Sequence, residues 1–220
     1  MALGSFAQEK PITGTKINLV LPDGKLIGFD KLDSVKKAWG TDQVLFSHND
    51  EDDRKGIMHL IRKTEQFVNE ETASLKAHLA MLNKPAPDLA LEDIEGRSVS
   101  LAALKGKVVV LNFWFIGCAP CVAEMPELNK LAGHYDRDKV IFLALGTDKA
   151  DNIRSFLKQH AFKYQMLPNA AGVAKDYKVN NYPTSIVIDQ DGVIRLIIGS
   201  DVRIGEVLAG EIDKLIRPLP

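Results

Sequence analysis

Two long apolar segments stand out in the hydrophobic pattern of the second half of the chain. The segments KVVVLNFWF (107–115) and KVIFLAL (139–145) contain almost no polar residues, which is typical of strands buried on both faces of a sheet. A helix with one apolar side is predicted after each strand, and the second of these helices spans 149–160. This alternation of strands and helices predicts an α/β fold.

Two hairpins and a final helix complete the pattern. The segments TSIVID and VIRLIIG flank Gln190-Asp191-Gly192, which predicts an antiparallel hairpin, and DLALEDIEGRSVSL predicts another that turns at Glu95-Gly96. The last helix is predicted at about 202–216. Together these elements predict a mixed central sheet that is flanked by helices on both faces.

The pattern changes at NKPAPD (83–88), where two prolines interrupt a helical periodicity. We therefore predict two domains, 1–84 and 85–220, the first a small α+β region of unknown role. No internal repeat and no low-complexity segment is present.

The elements predicted for the first domain are short, except for the last. A hairpin turns at 22–24, a short helix spans 31–39, and a strand lies near 44–46. One helix is predicted from about 54 to 82. The acidic residues 50–53 lack the pattern of a calcium-binding loop and are predicted to form a solvated loop before that helix.

Charge and composition exclude several classes of partner. The 28 basic and 29 acidic residues give a formal net charge of -1, so no basic excess indicates nucleic-acid binding. No apolar segment reaches the ~18 residues needed to span a bilayer. The first residues, MALGSFAQEK, resemble the end of a secretory signal around its cleavage site, but a basic start and a full apolar stretch are missing. We expect export, and membrane contact only through a missing signal or anchor.

The chain has two cysteines, Cys118 and Cys121, three positions apart. This spacing is compatible with a structural disulfide, half of a zinc site, or a redox-active dithiol. Zinc usually needs four ligands, and neither further cysteines nor suitably spaced histidines are present. A structural disulfide would close too small a loop to stabilise the fold much.

The position of the motif favours the dithiol. Cys118 follows a buried strand and precedes a helix, where unpaired N–H groups and the helix dipole stabilise a thiolate. Cys121 lies one turn inside, where it is expected to be less exposed and able to attack a mixed disulfide at Cys118. No metal and no cofactor is expected.

These segments resemble a known family. VVLNFWFIGCAPCVAEMPEL, APDLALEDIEG and VAKDYKVNNYPTSIVIDQDG are similar to TlpA/ResA-like thiol-disulfide oxidoreductases, members of the thioredoxin-fold superfamily. The resemblance covers about 85–217. It implies a thioredoxin fold with an N-terminal hairpin and a central insertion.

The resemblance also implies roles for individual residues. Cys118 and Cys121 would form the redox-active disulfide, Pro183 would be a cis-proline beside it, and Glu124 would handle protons near it. Tyr182 and Gly117, which precede Pro183 and Cys118, would contact the substrate.

Two positions depart from related proteins. Asn112 stands where thioredoxins carry a buried aspartate that assists proton transfer, and Gly117 replaces a common tryptophan. Glu124 would then take over the role of the missing aspartate.

The expected function is an exported thiol-disulfide oxidoreductase that reduces disulfide-containing protein substrates and is recharged by a separate thiol electron donor. One alternative is a peroxiredoxin-like peroxidase, although 115–118 read Phe-Ile-Gly-Cys instead of the usual Thr-x-x-Cys. The other is a non-enzymatic copper or haem delivery factor that uses its thiols as ligands, although no Met- or His-rich segment lies near the motif.

Overall fold

The N-terminal region contains a small mixed sheet with one helix packed on it. The computed structural model describes residues 18–47 and 50–216, and contacts divide the chain into two compact units, Met1–Thr72 and Ala73–Pro220. The described elements of the first unit are β1 (Asn18–Val20), β2 (Leu26–Gly28), α1 (Leu32–Trp39), β3 (Val44–Ser47), α2 (Asp50–Lys55) and β4 (Ile57–Arg62). The strand order is β2-β1-β4-β3, and the core consists of Leu19, Leu32 and Leu60. The residues that resemble a signal cleavage site lie outside the described residues.

The predicted helix from about 54 to 82 is wrong. The chain instead forms α2, the strand β4, and then α3 (Glu65–Met81). Gly56, directly after α2, has a φ of 63°, a left-handed conformation that favours glycine and interrupts a helix. The strand β4 pairs with both β1 and β3, and these pairings override a periodicity that also fits a helix. The acidic residues 50–53, predicted as a loop, belong to α2.

The second unit is built around a five-stranded sheet. Its elements after α3 are β5 (Ala90–Glu92), β6 (Ser98–Ser100), β7 (Val108–Trp114), α4 (Ala119–His134), β8 (Val140–Gly146), α5 (Ala150–Leu157), β9 (Gln165–Leu167), α6 (Ala171–Asp176), β10 (Thr184–Ile188), β11 (Ile194–Ile198) and α7 (Ile204–Ile216). The strand order is β11-β10-β7-β8-β9, and β5 and β6 form a separate hairpin. The strands β7, β8 and β9 are parallel, whereas β10 is antiparallel to both of its neighbours.

Both faces of this sheet are covered, as the apolar segments predict. Val110 and Trp114 of β7 belong to a core shared with α4 and α7, whereas Leu111 and Phe113 belong to a second core that includes residues of α6. Because neighbouring strand residues point to opposite faces, a strand covered on both sides needs apolar residues at nearly every position. The expected mixed sheet with flanking helices is confirmed.

The residues that follow α3 are bonded to the hairpin of β10 and β11. The N–H of Asn83 donates to the Ile194 carbonyl (2.9 Å), and the N–H of Ile194 donates to the Lys84 carbonyl (3.0 Å). Met81 and Leu82 pack against the second core. The domain boundary between 84 and 85 stays a prediction. Within the described residues, no helix is both long and apolar enough to cross a membrane.

Candidate active site: a disulfide at the start of a buried helix

The two cysteines occupy the junction between β7 and α4. Cys118 is the N-cap of α4, and its backbone is extended (φ −86°, ψ 94°). Its sulfur accepts a hydrogen bond from the N–H of Cys121, with 3.2 Å between the nitrogen and the sulfur. Pro120 lies in the first turn, where its missing N–H leaves no donor unpaired. The structure brings Cys118 and Cys121 together as a disulfide.

Both sulfur-bearing residues are largely buried. Cys118 is 4% exposed and Cys121 is 2% exposed. Cys121 is therefore the less exposed of the two, as predicted, but the difference is small. The exposed residues at this end of the helix are Gly117, Ala119 and Pro120. A substrate would therefore reach the disulfide across this short exposed segment.

An aromatic pair lies beside the segment that carries Cys118. The rings of Phe115 and Tyr182 meet edge to face, with 5.4 Å between their centroids. Tyr182 and Pro183 are joined by a cis peptide bond, as the resemblance implies. Partial burial raises the pKa of Tyr182. A Cβ added to Gly117 would lie 3.5 Å from the Phe115 ring, an ordinary contact, so a larger residue is not excluded there by space.

Glu124 is buried on α4, as expected, and only one of its two carboxylate oxygens is bonded. Oε1 accepts the N–H of Asp201 at 3.2 Å, whereas Oε2 is buried and has no hydrogen-bond partner among the described residues. Burial raises the pKa of Glu124, and the Asp201 carboxylate raises it further. The Ser200 side chain and the Asp201 N–H act on this pKa in the opposite direction. Its proposed role in proton transfer stays a prediction.

Asn112 is bonded within the sheet. Its Nδ2 donates to the hydroxyl of Ser185 on β10 at 3.1 Å, and both residues are almost completely buried. An amide cannot accept or release a proton at ordinary pH, so Asn112 acts here as a fixed hydrogen-bond donor.

Two residues near the site were missed by the sequence analysis. The Asp148 carboxylate, after β8, accepts the N–H of Ile116 at 2.8 Å. Tyr164, before β9, has a buried hydroxyl without a hydrogen-bond partner among the described residues. Burial and the negative charge of Glu124 raise the pKa of Tyr164. The position of Asp148 at the carboxyl end of a parallel strand was a usable signal, because ligands and reacting groups concentrate there in α/β sheets.

Comparisons with known proteins agree with this geometry. The sequence profile of the AhpC/TSA family matches residues 82–197. The chain belongs to this family. The thiol-disulfide oxidoreductase ResA of Bacillus cereus is 36% identical over 137 residues, which cover 61% of this chain and 78% of that protein. The thioredoxin-like protein YneN of Bacillus subtilis is 34% identical over 133 residues, which cover 59% of this chain and 75% of that protein.

Solved structures share the fold of the second unit. A Chlorobium tepidum protein described as thiol:disulfide interchange protein DsbE superposes with a TM-score of 0.58 at 28% identity, over 62% of this chain and 98% of that one. The expected ResA-like thiol-disulfide oxidoreductase with a thioredoxin fold is confirmed. Among the described residues, no three His, Cys, Asp or Glu side chains lie together as a metal site would require.

Proposed function

We propose that the protein reduces disulfide bonds of other proteins in an exported compartment, with Cys118 as the attacking and Cys121 as the resolving thiol. The observation that carries this proposal is the disulfide between the N-cap of α4 and a cysteine one turn inside. Such a pair can open to two thiols and close again while the helix stays in place.

The reaction has two exchange steps. The Cys118 thiolate attacks one sulfur of the substrate disulfide, and the other substrate sulfur leaves as a thiolate that takes up a proton. Cys121 then loses its proton and attacks the Cys118 sulfur, which releases the substrate's second thiolate. The substrate gains two electrons and two protons, and the protein is left as its disulfide. A separate thiol donor returns the two electrons.

The assignment of Cys118 as the nucleophile follows from its surroundings. The N–H of Cys121 points at its sulfur, and an N-terminal helix position favours a negative charge. Cys121 lies inside the helix and approaches Cys118 from within the protein. We assign the role of proton acceptor for Cys121 to Glu124, because its Oε2 is buried and unbonded.

The substrate is expected to lie against the aromatic pair. Tyr182 and Phe115 are partly exposed, and a Cβ added to Gly117 would make only an ordinary contact with the Phe115 ring. The backbone beside Pro183 is expected to pair with an extended segment of the substrate, as the family resemblance implies.

The reducing direction is supported by the charges around the pair. Ala119 and Pro120 add no positive charge that would stabilise a thiolate, whereas Glu124 and Asp201 are acidic. A reduced form that is not strongly stabilised gives up its electrons more readily. The exported compartment is supported by the sequence of the first residues and by the tendency of protein disulfides to persist outside the cytosol.

Trapping of mixed disulfides tests the two roles. Cys121→Ala should accumulate mixed disulfides through Cys118, because the resolving thiol is gone, whereas Cys118→Ala should accumulate few. Non-reducing gels and mass spectrometry of the linked peptides measure both. Equal trapping by the two variants contradicts the assignment, and faster oxidation of the reduced protein by hydrogen peroxide than by a protein disulfide contradicts the proposed reaction.

A further inference from the structure

We infer that Asp148 is a positioning residue for the dithiol, which anchors the segment before Cys118 and whose charge makes the pair a stronger reductant. The inference rests on the proposed function for its meaning, but its geometry is independent of the substrate. Asp148 itself takes no part in thiol–disulfide exchange.

The anchor joins two neighbouring loops at the carboxyl ends of parallel strands. The Asp148 carboxylate accepts the N–H of Ile116 at 2.8 Å. The backbone of Asp148 is itself held, because its carbonyl accepts the N–H of Asn169 at 3.0 Å. The preceding residue, Thr147, donates its N–H to the carbonyl of Trp114, the last residue of β7 (3.2 Å). The backbone that carries the Asp148 carboxylate is therefore bonded on both sides of the residue, to β7 and to the loop at Asn169.

The anchored segment is short and leads directly to the reactive sulfur. The N–H of Cys118 donates to the Phe115 carbonyl at 3.1 Å, which closes a tight turn around Ile116. Two bonds, one inside the turn and one to Asp148, thus set the direction in which the chain enters α4. Loss of the second bond would leave the turn attached at its ends alone.

The charge of Asp148 reaches the dithiol. The carboxylate oxygen lies 2.8 Å from the Ile116 nitrogen. With about 1.5 Å from that nitrogen to its Cα and at most about 7.6 Å from there to the Cα of Cys118, the carboxylate is within about 12 Å of the Cys118 Cα, which is comparable with the Debye length of ~10 Å at 0.1 M salt. Cys118 is buried, and salt screens the charge less there than between exposed groups. Among the described residues, no ion pair includes Asp148. An ionised carboxylate at this distance disfavours a thiolate at Cys118.

Other charged and titratable groups surround the pair. Glu124 on α4 and Asp201 before α7 add to the negative potential, and Tyr182 is expected to be neutral near pH 7 because burial raises its pKa. Lys149 is exposed. Because Asp148 destabilises the reduced, thiolate-bearing form relative to the disulfide, it favours transfer of the two electrons to the substrate.

Two variants at this position separate the anchor from the charge. Asp148→Asn keeps an oxygen that can accept the Ile116 N–H but removes the charge, whereas Asp148→Ala removes both. Asp151→Asn is the matched control, since it removes an exposed carboxylate on α5 that is paired with Arg154. All variants are made in the full chain.

Three measurements are made on each protein. They are the equilibrium of the pair with reduced and oxidised glutathione, the pH dependence of Cys118 alkylation, and hydrogen exchange of the Ile116 amide by NMR. In Asp148→Asn we expect the equilibrium to shift toward the dithiol by roughly threefold to tenfold, where tenfold corresponds to about 30 mV. The alkylation profile should move to lower pH, and Ile116 should remain protected. In Asp148→Ala the protection of Ile116 should be lost.

Different outcomes test the hydrogen-bond anchor and the effect of the Asp148 charge. Unchanged Ile116 protection in Asp148→Ala overturns the anchor, and an unchanged equilibrium and alkylation profile in Asp148→Asn overturns the role of the charge. A shift of the same size in Asp151→Asn also overturns it, because the effect would then be a general one of net charge. If Asp148→Ala does not fold, the wild type decides the anchor, because exchange of its Ile116 amide as fast as that of an unprotected amide overturns the bond to Asp148. If the wild type fails to reduce protein disulfides, the proposed function is wrong, while the glutathione equilibrium and Ile116 exchange still decide this inference.

Discussion

Replacement of Glu124 by glutamine should slow the second exchange step selectively. Glutamine keeps the shape of the side chain and an oxygen that can accept the N–H of Asp201, but it cannot take up a proton. Attack by Cys121 requires loss of its proton, so the step that releases the substrate should slow. The first attack by Cys118 should proceed at least as fast, because removal of a nearby carboxylate leaves the pKa of that thiol unchanged or lower.

The size of the effect follows from what the carboxylate can do. A positioned general base contributes ~10²–10⁴-fold in rate, or about 3–5 kcal/mol of barrier. Only Oε2 of Glu124 is free, since Oε1 is already bonded to the backbone. We therefore expect the lower end, a slowing of about 100-fold at a pH where Glu124 is ionised.

The raised pKa of Glu124 sets how the release rate and the stability of the wild type change with pH. Burial raises the pKa of Glu124 above its ordinary value of 4.5, and below that raised pKa the protonated carboxyl cannot act as a base. The wild-type rate should therefore fall toward the variant's rate as the pH drops. Because the folded state binds the proton more tightly, wild-type stability should decrease as the pH rises through the raised pKa, and the variant should not show this loss.

Single-turnover exchange with a fluorescent peptide disulfide, from pH 4 to 9, measures the two steps separately. Glu127→Gln is the control, because it removes an exposed carboxylate from the same helix that is paired with Lys130. Equal release rates for wild type and Glu124→Gln at every pH would refute the reasoning and make Glu124 a structural residue. Slowing of the same size in Glu127→Gln would show that the charge of the helix, and not a base, is responsible.

Three further predictions concern stability. Gly146→Ala should lower the free energy of unfolding by ~1–3 kcal/mol in denaturant titrations, because the new Cβ would lie 2.6 Å from a side-chain carbon of α5, whereas Gly172→Ala, with open space around it, should cost nothing. Asp93→Asn should lower the melting temperature at neutral pH. Burial alone would raise the pKa of this aspartate, but hydrogen bonds lower it from 3.8 to about 2. The difference in melting temperature from wild type should therefore vanish as the pH falls through about 2. A chain that begins at residue 85 should fold and exchange with a small disulfide, but should melt below one that begins at Ala73, since it lacks the bonds to β11 made just before residue 85; an insoluble or inert product would show that the boundary is wrong.

The sheet of the second unit was predictable because its elements depend on strong local signals. The apolar segments that form β7 and β8 are long enough to exclude alternatives, and the hairpins turn at Asp-Gly or Glu-Gly pairs that favour left-handed glycine. The strand β4 carries no such signal. Its apolar residues fit a helix as well as a strand, and pairing with two distant strands decides between them. The strand β9 and the helix α6 were not predicted because each is too short to show a period.

The candidate site was predictable where chemistry depends on neighbours in sequence. Cys118, Cys121 and Glu124 lie within two turns of one helix, so their spacing was enough to place them together. Asp148 and Tyr164 reach the site from other elements. The position of Asp148 after a buried strand was a signal that it lies near the site, but no local pattern in the sequence reports its hydrogen bond to Ile116 or the electrostatic effect of Glu124 on Tyr164. These contacts are consequences of the order of parallel strands, which only the fold supplies.

The buried carboxylates of the described residues show why Glu124 is the one suited to accept a proton. They are Asp93, Asp189 and Glu124. Asp93 is bonded to Arg97 and Asp189 to Arg195, and each also accepts backbone N–H groups of its own hairpin turn. A carboxylate held by an arginine and several N–H groups is stabilised in its charged form and is a poor base, as the lowered pKa of Asp93 shows. Glu124 forms no ion pair with a described residue, and one of its buried oxygens has no hydrogen-bond partner among them. Burying an oxygen without a hydrogen bond costs about 1–3 kcal/mol of stability. Unsatisfied polar groups of this kind are expected where function competes with stability, and in this unit the group lies on the helix that begins at the disulfide.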